Sequence, residues 1–403
     1  MPTHLRHPLA GLISMLLLTL WASSAVAEAD AEDVVEPTRA ELVVHTVQVD
    51  SPRVQELLEE ARQEEWTANE LFTNLGLDDL DGCYSFADRT VLRERYARWA
   101  EAVELLAYHD PEALYRWVIG LGTPPRAATA ETEVHLHCLL SDLIAAADQP
   151  GSSIRLFPRI SDRFGGSVSS AAELATLVDD NPRWFNRARN ALVRSVVRDF
   201  HTQSYIWHRK HRLEGRPFNR VSPQAGELCR LAPGQTWKPE VPVHERCWHQ
   251  TLTSEQREQE ILTASAAPGL SRHHWGTDVD ILGLNHTHFA EGGPLYGDWR
   301  WLDANALDRG FFQPYQTSDE PYVHMEERWH WSYYPIAQAL WTFLVHNPDH
   351  FEEALFERWD HLDRRWGARR GPYFDHIREH WRSYAFQITV PDIGDDRAVR
   401  PPR

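Results

Sequence analysis

The chain has 403 residues and a net charge of −18, from 59 acidic against 41 basic side chains. So acidic a balance excludes binding to nucleic acid or to anionic lipid through bulk charge, and any hold on an anionic polymer has to come from a local site. The length suggests two domains or one large decorated domain, with ample material for a hydrophobic core.

Arg6 precedes an apolar run from Leu9 to Trp21, and Ala25-Val26-Ala27 follows as a small-residue cleavage site. This is the layout of a secretory signal over residues 1–27, with an apolar run too short to span a bilayer comfortably. No cysteine lies near the cut and no later stretch is long and apolar enough to cross a membrane. The mature chain is therefore expected to be periplasmic or secreted, without a stable membrane anchor. Residues 28–50 are acidic and aperiodic, as in a tether.

Ser51-Pro52 opens a helix with Val54, Leu57, Leu58 and Ala61 on one face. A second helix is predicted from Asp88 to Tyr108, with Leu92, Trp99, Val103 and Leu106 as its stripe. Asp110-Pro111 starts a third, closed by Gly120 to Pro125, and Glu131 to Ala147 forms a fourth. Residues 51–165 thus read as a helical N-terminal region. A Pro/Gly/Ser-rich stretch runs from about Ser152 to Ser170 and a helix follows through Leu177. Apolar runs such as Ala191–Val197 then read as strands, and Ser195 to Tyr334 mixes strands with Pro/Gly turns. Helical patterning returns from Pro335 (Ile336, Leu340, Phe343, then Phe351, Leu355, Trp359), and the chain after Pro391 lacks pattern.

Cys83, Cys138, Cys229 and Cys247 make an even set in an exported chain, which favours disulfides. Four cysteines allow three pairings; their order suggests Cys83 with Cys138 and Cys229 with Cys247. The absence of any C-x-x-C spacing argues against a thiolate metal site.

Three segments carry chemistry. In Pro268-Gly269-Leu270-Ser271-Arg272-His273-His274-Trp275-Gly276-Thr277-Asp278-Val279-Asp280, His273 and Asp280 are an odd number apart. One straight strand cannot aim both inward, but a turn at Gly276 between two strand legs can. Asp278 and Asp280 then share the site side, and an imidazole with a carboxylate suits zinc. In Glu327-Arg328-Trp329-His330, a turn or bulge ahead of an aromatic strand would aim His330 and Glu327 at one ion. Three protein ligands would leave a fourth position for water, with Glu327 as its base. In Ser195-Val196-Val197-Arg198, with Gln203 five residues on, a fixed guanidinium can stabilise an oxyanion or hold a substrate carboxylate.

Together these segments resemble the D-alanyl-D-alanine carboxypeptidase and dipeptidase branch of the LAS zinc peptidases. The family pattern S-x-x-R-S-x-x-x-Q, P-G-x-S-x-H-x-x-G-x-A-x-D, E-x-W-H is met by Ser195…Arg198…Gln203, by Pro268…Ser271…His273…Gly276…Asp280 and by Glu327-Arg328-Trp329-His330. Trp301-Leu302-Asp303-Ala304-Asn305-Ala306 with Gly310-Phe311 resembles the W-L-x-x-N-A-x-x-x-G-F run between the last two motifs. The resemblance covers roughly Ser195 to Tyr334. It implies an α+β fold with a small antiparallel-sheet zinc peptidase core, placed over 166–345; the helical region before it and the C-terminal helices and tail over 346–403, read from their patterning, lie outside the match. It also implies one Zn2+ per chain on His273, Asp280 and His330, Glu327 as catalytic base and Arg198 as the transition-state arginine. Ser271 and Gln203 fall on the substrate side, joined by Trp329 and by Asp278.

Two positions depart from the pattern: Asp199 replaces the serine after the arginine, and Asp278 replaces an alanine. A long segment with the Cys229 and Cys247 pair also separates Gln203 from Pro268. The expected substrate is the stem peptide of peptidoglycan, losing a terminal D-amino acid. Endopeptidase or L,D-carboxypeptidase action, or a non-catalytic wall-binding scaffold, are the alternatives. A serine-type D,D-peptidase is excluded, since neither Lys210 nor Lys238 has serine three residues before it. His274 reads as a supporting or surface residue, and His286 and His288 as a polar loop. His244 and His249 are too far apart for one helix face, and Trp275, Trp299, Trp301, Trp329 and Trp331 read chiefly as packing.

Overall fold

The computed structural model describes residues 51–80, 82–156, 182–215, 217–232, 234–316, 325–366 and 372–394, with backbone alone for 182–186 and 219. The expected signal, the tether, the helix through Leu177 and the end of the tail lie outside the described residues. Helix starts follow their caps. Ser51, Asp88 and Asp110 accept from the first turns of α1 (Pro52–Gln63), α3 (Arg89–His109) and α4 (Pro111–Val118). α2 (Ala68–Asn74) begins with a Thr67/Glu70 capping box, and α5 spans Arg126–Ala147. Among the described residues no helix is long and apolar enough to cross a membrane.

The sheet is small and antiparallel. β1 (Val193–Ser195), β4 (Asp278–Ile281), β6 (His330–Tyr333) and β5 (Phe311–Phe312) lie in that spatial order. A separate pair joins β2 (Phe218–Arg220) to β3 (Thr236–Trp237). The run expected as strand over Ala191–Val197 is mostly something else. Helix Pro182–Leu192 claims its first residues, because Ala188, Ala191 and Leu192 are buried with helical spacing, and only three residues extend.

The sheet is flanked by helices from both ends of the chain. Helix Tyr334–His346 continues directly from β6 and packs along α3, where the Tyr96 and Tyr334 rings lie 5.9 Å apart. The buried Glu131 carboxylate of α5 accepts from Arg95 Nε (2.7 Å), Trp99 Nε1 (2.8 Å) and the Tyr333 hydroxyl (2.8 Å), tying the N-terminal helices to β6. On the other side Trp359 of helix Pro348–Trp366 donates to the Pro268 carbonyl at 2.8 Å. Phe374, ahead of helix Asp375–Phe386, stacks between Trp359 and Trp207.

The stretch between Gln203 and Pro268 is more helical than its Pro/Gly content predicts. Ser222 caps helix Pro223–Cys229, and a Thr253/Gln256 capping box starts helix Ser254–Leu262. Trp237 and Trp248 pack edge to face at 4.8 Å, with Phe218 on Trp248 at 5.6 Å, giving this insertion its own aromatic centre. The Cys229–Cys247 disulfide staples it over 18 residues, and Cys83–Cys138 ties the segment before α3 to α5. Closing the 18-residue Cys229–Cys247 loop contributes about 3 kcal/mol in the chain-entropy model.

Candidate metal centre and active-site cleft

The first requirement is that side chains remote in sequence meet. Asp280 and His330 are direct partners across β4 and β6, and Asp278 faces Ser332 two pairs along. Directly opposite residues on antiparallel strands put their side chains on one face. His273 arrives from a 3-10 turn, Arg272–Trp275, so the first leg before Gly276 is helical and not the expected strand. Gly276 has φ 76°, and a Cβ there would press within 3.1 Å of Pro124 and Thr129, so a glycine makes this reversal against the N-terminal helices.

One ligand atom from each of His273, Asp280 and His330 lies within 4.8 Å of the others, and all three residues are buried. His273 Nε2 is 3.4 Å from Asp280 Oδ2, and His330 Nδ1 is 3.4 Å from Asp280 Oδ1. Asp280 Oδ1 is buried without a hydrogen-bond partner. Two imidazoles, a carboxylate and an orphaned oxygen at one point fit a divalent ion, and this donor set suits a site with an open position.

Each imidazole is aimed by its other nitrogen. His273 Nδ1 donates to the Val196 carbonyl at 2.7 Å, leaving Nε2 for the centre. His330 Nε2 donates to Asp278 Oδ1 at 2.8 Å, leaving Nδ1. Neighbouring His274 accepts from the Gly269 amide at 3.1 Å on Nε2 and donates to the Arg198 carbonyl on Nδ1, clamping the motif to the segment after β1. Gly269 itself has φ 88°, and a Cβ there would strike Leu355.

His330 Nδ1 lies 3.5 Å from Glu327 Oε2, because a turn at Arg328-Trp329 folds Glu327 back over the start of β6. Arg198 stands nearby, held by donation to Gln203 Oε1 (2.8 Å) and Ser195 Oγ (3.2 Å). Asp199, one of the two departures, caps helix Phe200–His211 by accepting from the Thr202 amide. Serine and aspartate are interchangeable N-caps, which accounts for the exchange.

A cleft of about 480 Å3 opens over the centre, lined among others by Arg198, Ser271, His273, Asp280, Glu327, Trp329 and His330. Burial lifts the Glu327 carboxyl to about 7, with Asp280 adding and His330, Lys210 and Arg198 opposing. That is the range in which a carboxylate takes and returns a proton near neutrality. Burial disfavours a charged His330, but its hydrogen bond to Asp278 and the nearby Asp278 and Asp280 carboxylates prevail and raise it to about 9. The pocket therefore attracts positive charge at this point, and a bound cation would take the place of that proton.

Two expected substrate-side residues sit elsewhere. Gln203 is fully buried behind Arg198, with its amide nitrogen donating to Ala266 O at 2.5 Å, and acts as a support for the guanidinium. Asp278 does share the metal-side face, yet it lies beneath His330 with no exposure. Its oxygens accept from Arg272 Nε (3.0 Å), His330, Thr277 (2.6 Å) and Ser332 (3.0 Å), so no capacity is left for a ligand. His286, read as part of a polar loop, is in a short helix, His286–Phe289, and lines the cleft. Sequence reasoning passed over Tyr315 and Lys210. Tyr315 packs edge-on against His330 at 4.8 Å, and its carbonyl accepts from the Glu327 amide at 3.0 Å. Lys210 lies seven residues after Gln203 on one helix, a spacing that could have marked it.

The fold is α+β, with a His/Asp/His cluster that could hold a metal ion at the junction of β4 and β6. Residues 186–336 match the family model described as VanY: D-alanyl-D-alanine carboxypeptidase, and over this segment the chain is VanY-like. A solved structure of VanYB in complex with D-alanine-D-alanine aligns at 24% identity over 45% of this chain and 80% of that one, with a TM-score of 0.23. No curated protein matches.

Proposed function

We propose that this chain is an exported zinc peptidase of the D-alanyl-D-alanine carboxypeptidase type, with a LAS-type core, acting on peptidoglycan stem peptides. The observation that carries the reading is the meeting of His273, Asp280 and His330 beside Glu327 and Arg198 in one cleft. The match of residues 186–336 to the carboxypeptidase family supports the substrate class. Two disulfides, with no free cysteine among the described residues, support an oxidising compartment and hence export.

His273, Asp280 and His330 would hold a zinc ion, which when bound would supply Lewis acidity to the scissile carbonyl and would lower the pKa of the attacking water. Glu327 takes the proton from that water as its oxygen bonds to the carbonyl carbon. Arg198 faces the negative charge that develops on the carbonyl oxygen. Glu327 then returns the proton to the leaving amine as the C–N bond breaks, giving a shortened peptide and a free amino acid. Asp278 and the Val196 carbonyl keep the two imidazoles in the tautomers that ligation needs.

Purified protein incubated with a defined stem peptide ending in D-alanyl-D-alanine should release D-alanine. A chelator should abolish release and added zinc should restore it. Zinc binding without hydrolysis of any stem peptide would favour the non-catalytic scaffold, and hydrolysis indifferent to chelator would remove the metal from the mechanism.

A further inference from the structure

Helix Phe200–His211 presents Gln203, Ile206 and Lys210 along one stripe, by the three-, four- and seven-residue spacing of an α-helix. Gln203 supports Arg198, while Ile206 and Lys210 line the cleft. The Lys210 ammonium donates to the Ser265 hydroxyl and lies 5.2 Å over the Phe218 ring. It is near enough to Glu327 and Arg198 for their charges to act on it.

The charges of the cleft wall divide unevenly. Among its lining residues Arg272 is committed to Asp278, and Asp280 to the metal pocket. Arg198, Lys210 and Arg220 then face the cleft beside a single further carboxylate, Glu327, in a chain whose overall charge is −18. A cationic wall inside an acidic protein focuses attraction on an anionic group of the ligand. Its position along the peptide follows from the proposed proton transfers, on which this inference rests. Glu327 protonates the leaving amine, so the leaving residue lies on the Glu327 side. The carboxylate of that residue, one α-carbon further, falls toward the neighbouring cation.

We propose that Lys210, seated on Ser265, is the receptor for the free terminal carboxylate of the leaving residue, and makes the chain release C-terminal residues in preference to cutting within a peptide. Burial draws the Lys210 ammonium down to about 7 while the charge of Glu327 acts the other way. A docked carboxylate acts in the same sense as Glu327 and favours the charged, donating form. Neither Cys229 nor Cys247 touches this function directly; their disulfide fixes the insertion that brings Phe218 to the lysine.

The test compares a stem peptide ending in a free carboxylate with its C-terminal amide. The wild type should prefer the acid. Lys210→Met should raise KM for the acid roughly ten- to a hundredfold, as expected for losing a charge-assisted hydrogen bond, with a smaller change in kcat and little effect on the amide. Lys210→Arg should recover part of the loss. Calorimetric binding of both peptides to Glu327→Gln, with and without Lys210→Met, gives a readout independent of turnover. The same loss of preference for the acid is expected there. An acid-to-amide ratio unchanged by Lys210→Met in both turnover and binding overturns the proposal. Absence of turnover by the wild type, with preferential acid binding that depends on Lys210, would instead overturn the peptidase reading alone.

Discussion

Glu327→Gln should lower hydrolysis of a D-alanyl-D-alanine-terminated peptide roughly 10^2- to 10^4-fold, the range ascribed to a positioned general acid–base group. Glutamine preserves the volume of the side chain beside His330 but cannot accept the water proton. Metal content should stay near one ion per chain, since in the proposed site His273, Asp280 and His330 would hold the ion without it. The two readouts separate the roles open to a carboxylate whose Oε2 lies 3.5 Å from His330 Nδ1. Loss of the metal together with activity would make Glu327 a ligand. Undiminished turnover would remove it from the chemistry. Steady-state kinetics with metal analysis on the same preparation gives the answer.

Glu131→Ala should destabilise the fold by about 3–5 kcal/mol, the usual cost of stripping one partner from a buried ion pair. Glu131 has no exposure, and its two oxygens serve Arg95, Trp99 and Tyr333, on α3 and β6. Removing the carboxylate leaves the nearly buried Arg95 guanidinium without its partner and frees a hydroxyl and an indole N–H as well. Beside it His135 is stacked among Tyr84, Phe86 and Tyr333, with both ring nitrogens buried and unbonded, and burial lowers its pKa to about 3. An imidazole supplies no negative charge in either protonation state, so His135 cannot replace the lost carboxylate. Urea unfolding of wild type and variant measures the difference. A change below about 1 kcal/mol would place Glu131 among the weakly contributing surface pairs.

The meeting of His273, Asp280 and His330 was legible because they sit in short motifs whose flanking residues perform local tasks. Gly276 makes the reversal between His273 and Asp280, and the Glu327–His330 spacing demands a turn, which Arg328-Trp329 supplies. Helix starts were legible where a cap preceded an apolar stripe, at Ser51, Asp88 and Asp110. The same signal stood at the Thr253/Gln256 box and at Ser222, where Pro217, Pro223 and Gly226 surround it. Alternation correctly gave Asp278 the metal-side face. What it could not give was depth, because His330 from another strand lies over the carboxylate and Arg272 neutralises it. Lys210 was hidden for a similar reason. Its meaning depends on Ser265 and Phe218, which reach it only through the folded insertion.

Everything turns on three remote side chains sharing one ion. X-ray absorption at the zinc edge of the loaded full chain, paired with zinc titration of His330→Ala, tests this most directly. The account predicts low-atomic-number ligands only, imidazole scattering from two histidines, and a large loss of zinc affinity in the variant. A zinc environment without imidazole, or unchanged affinity after His330 is removed, would contradict it.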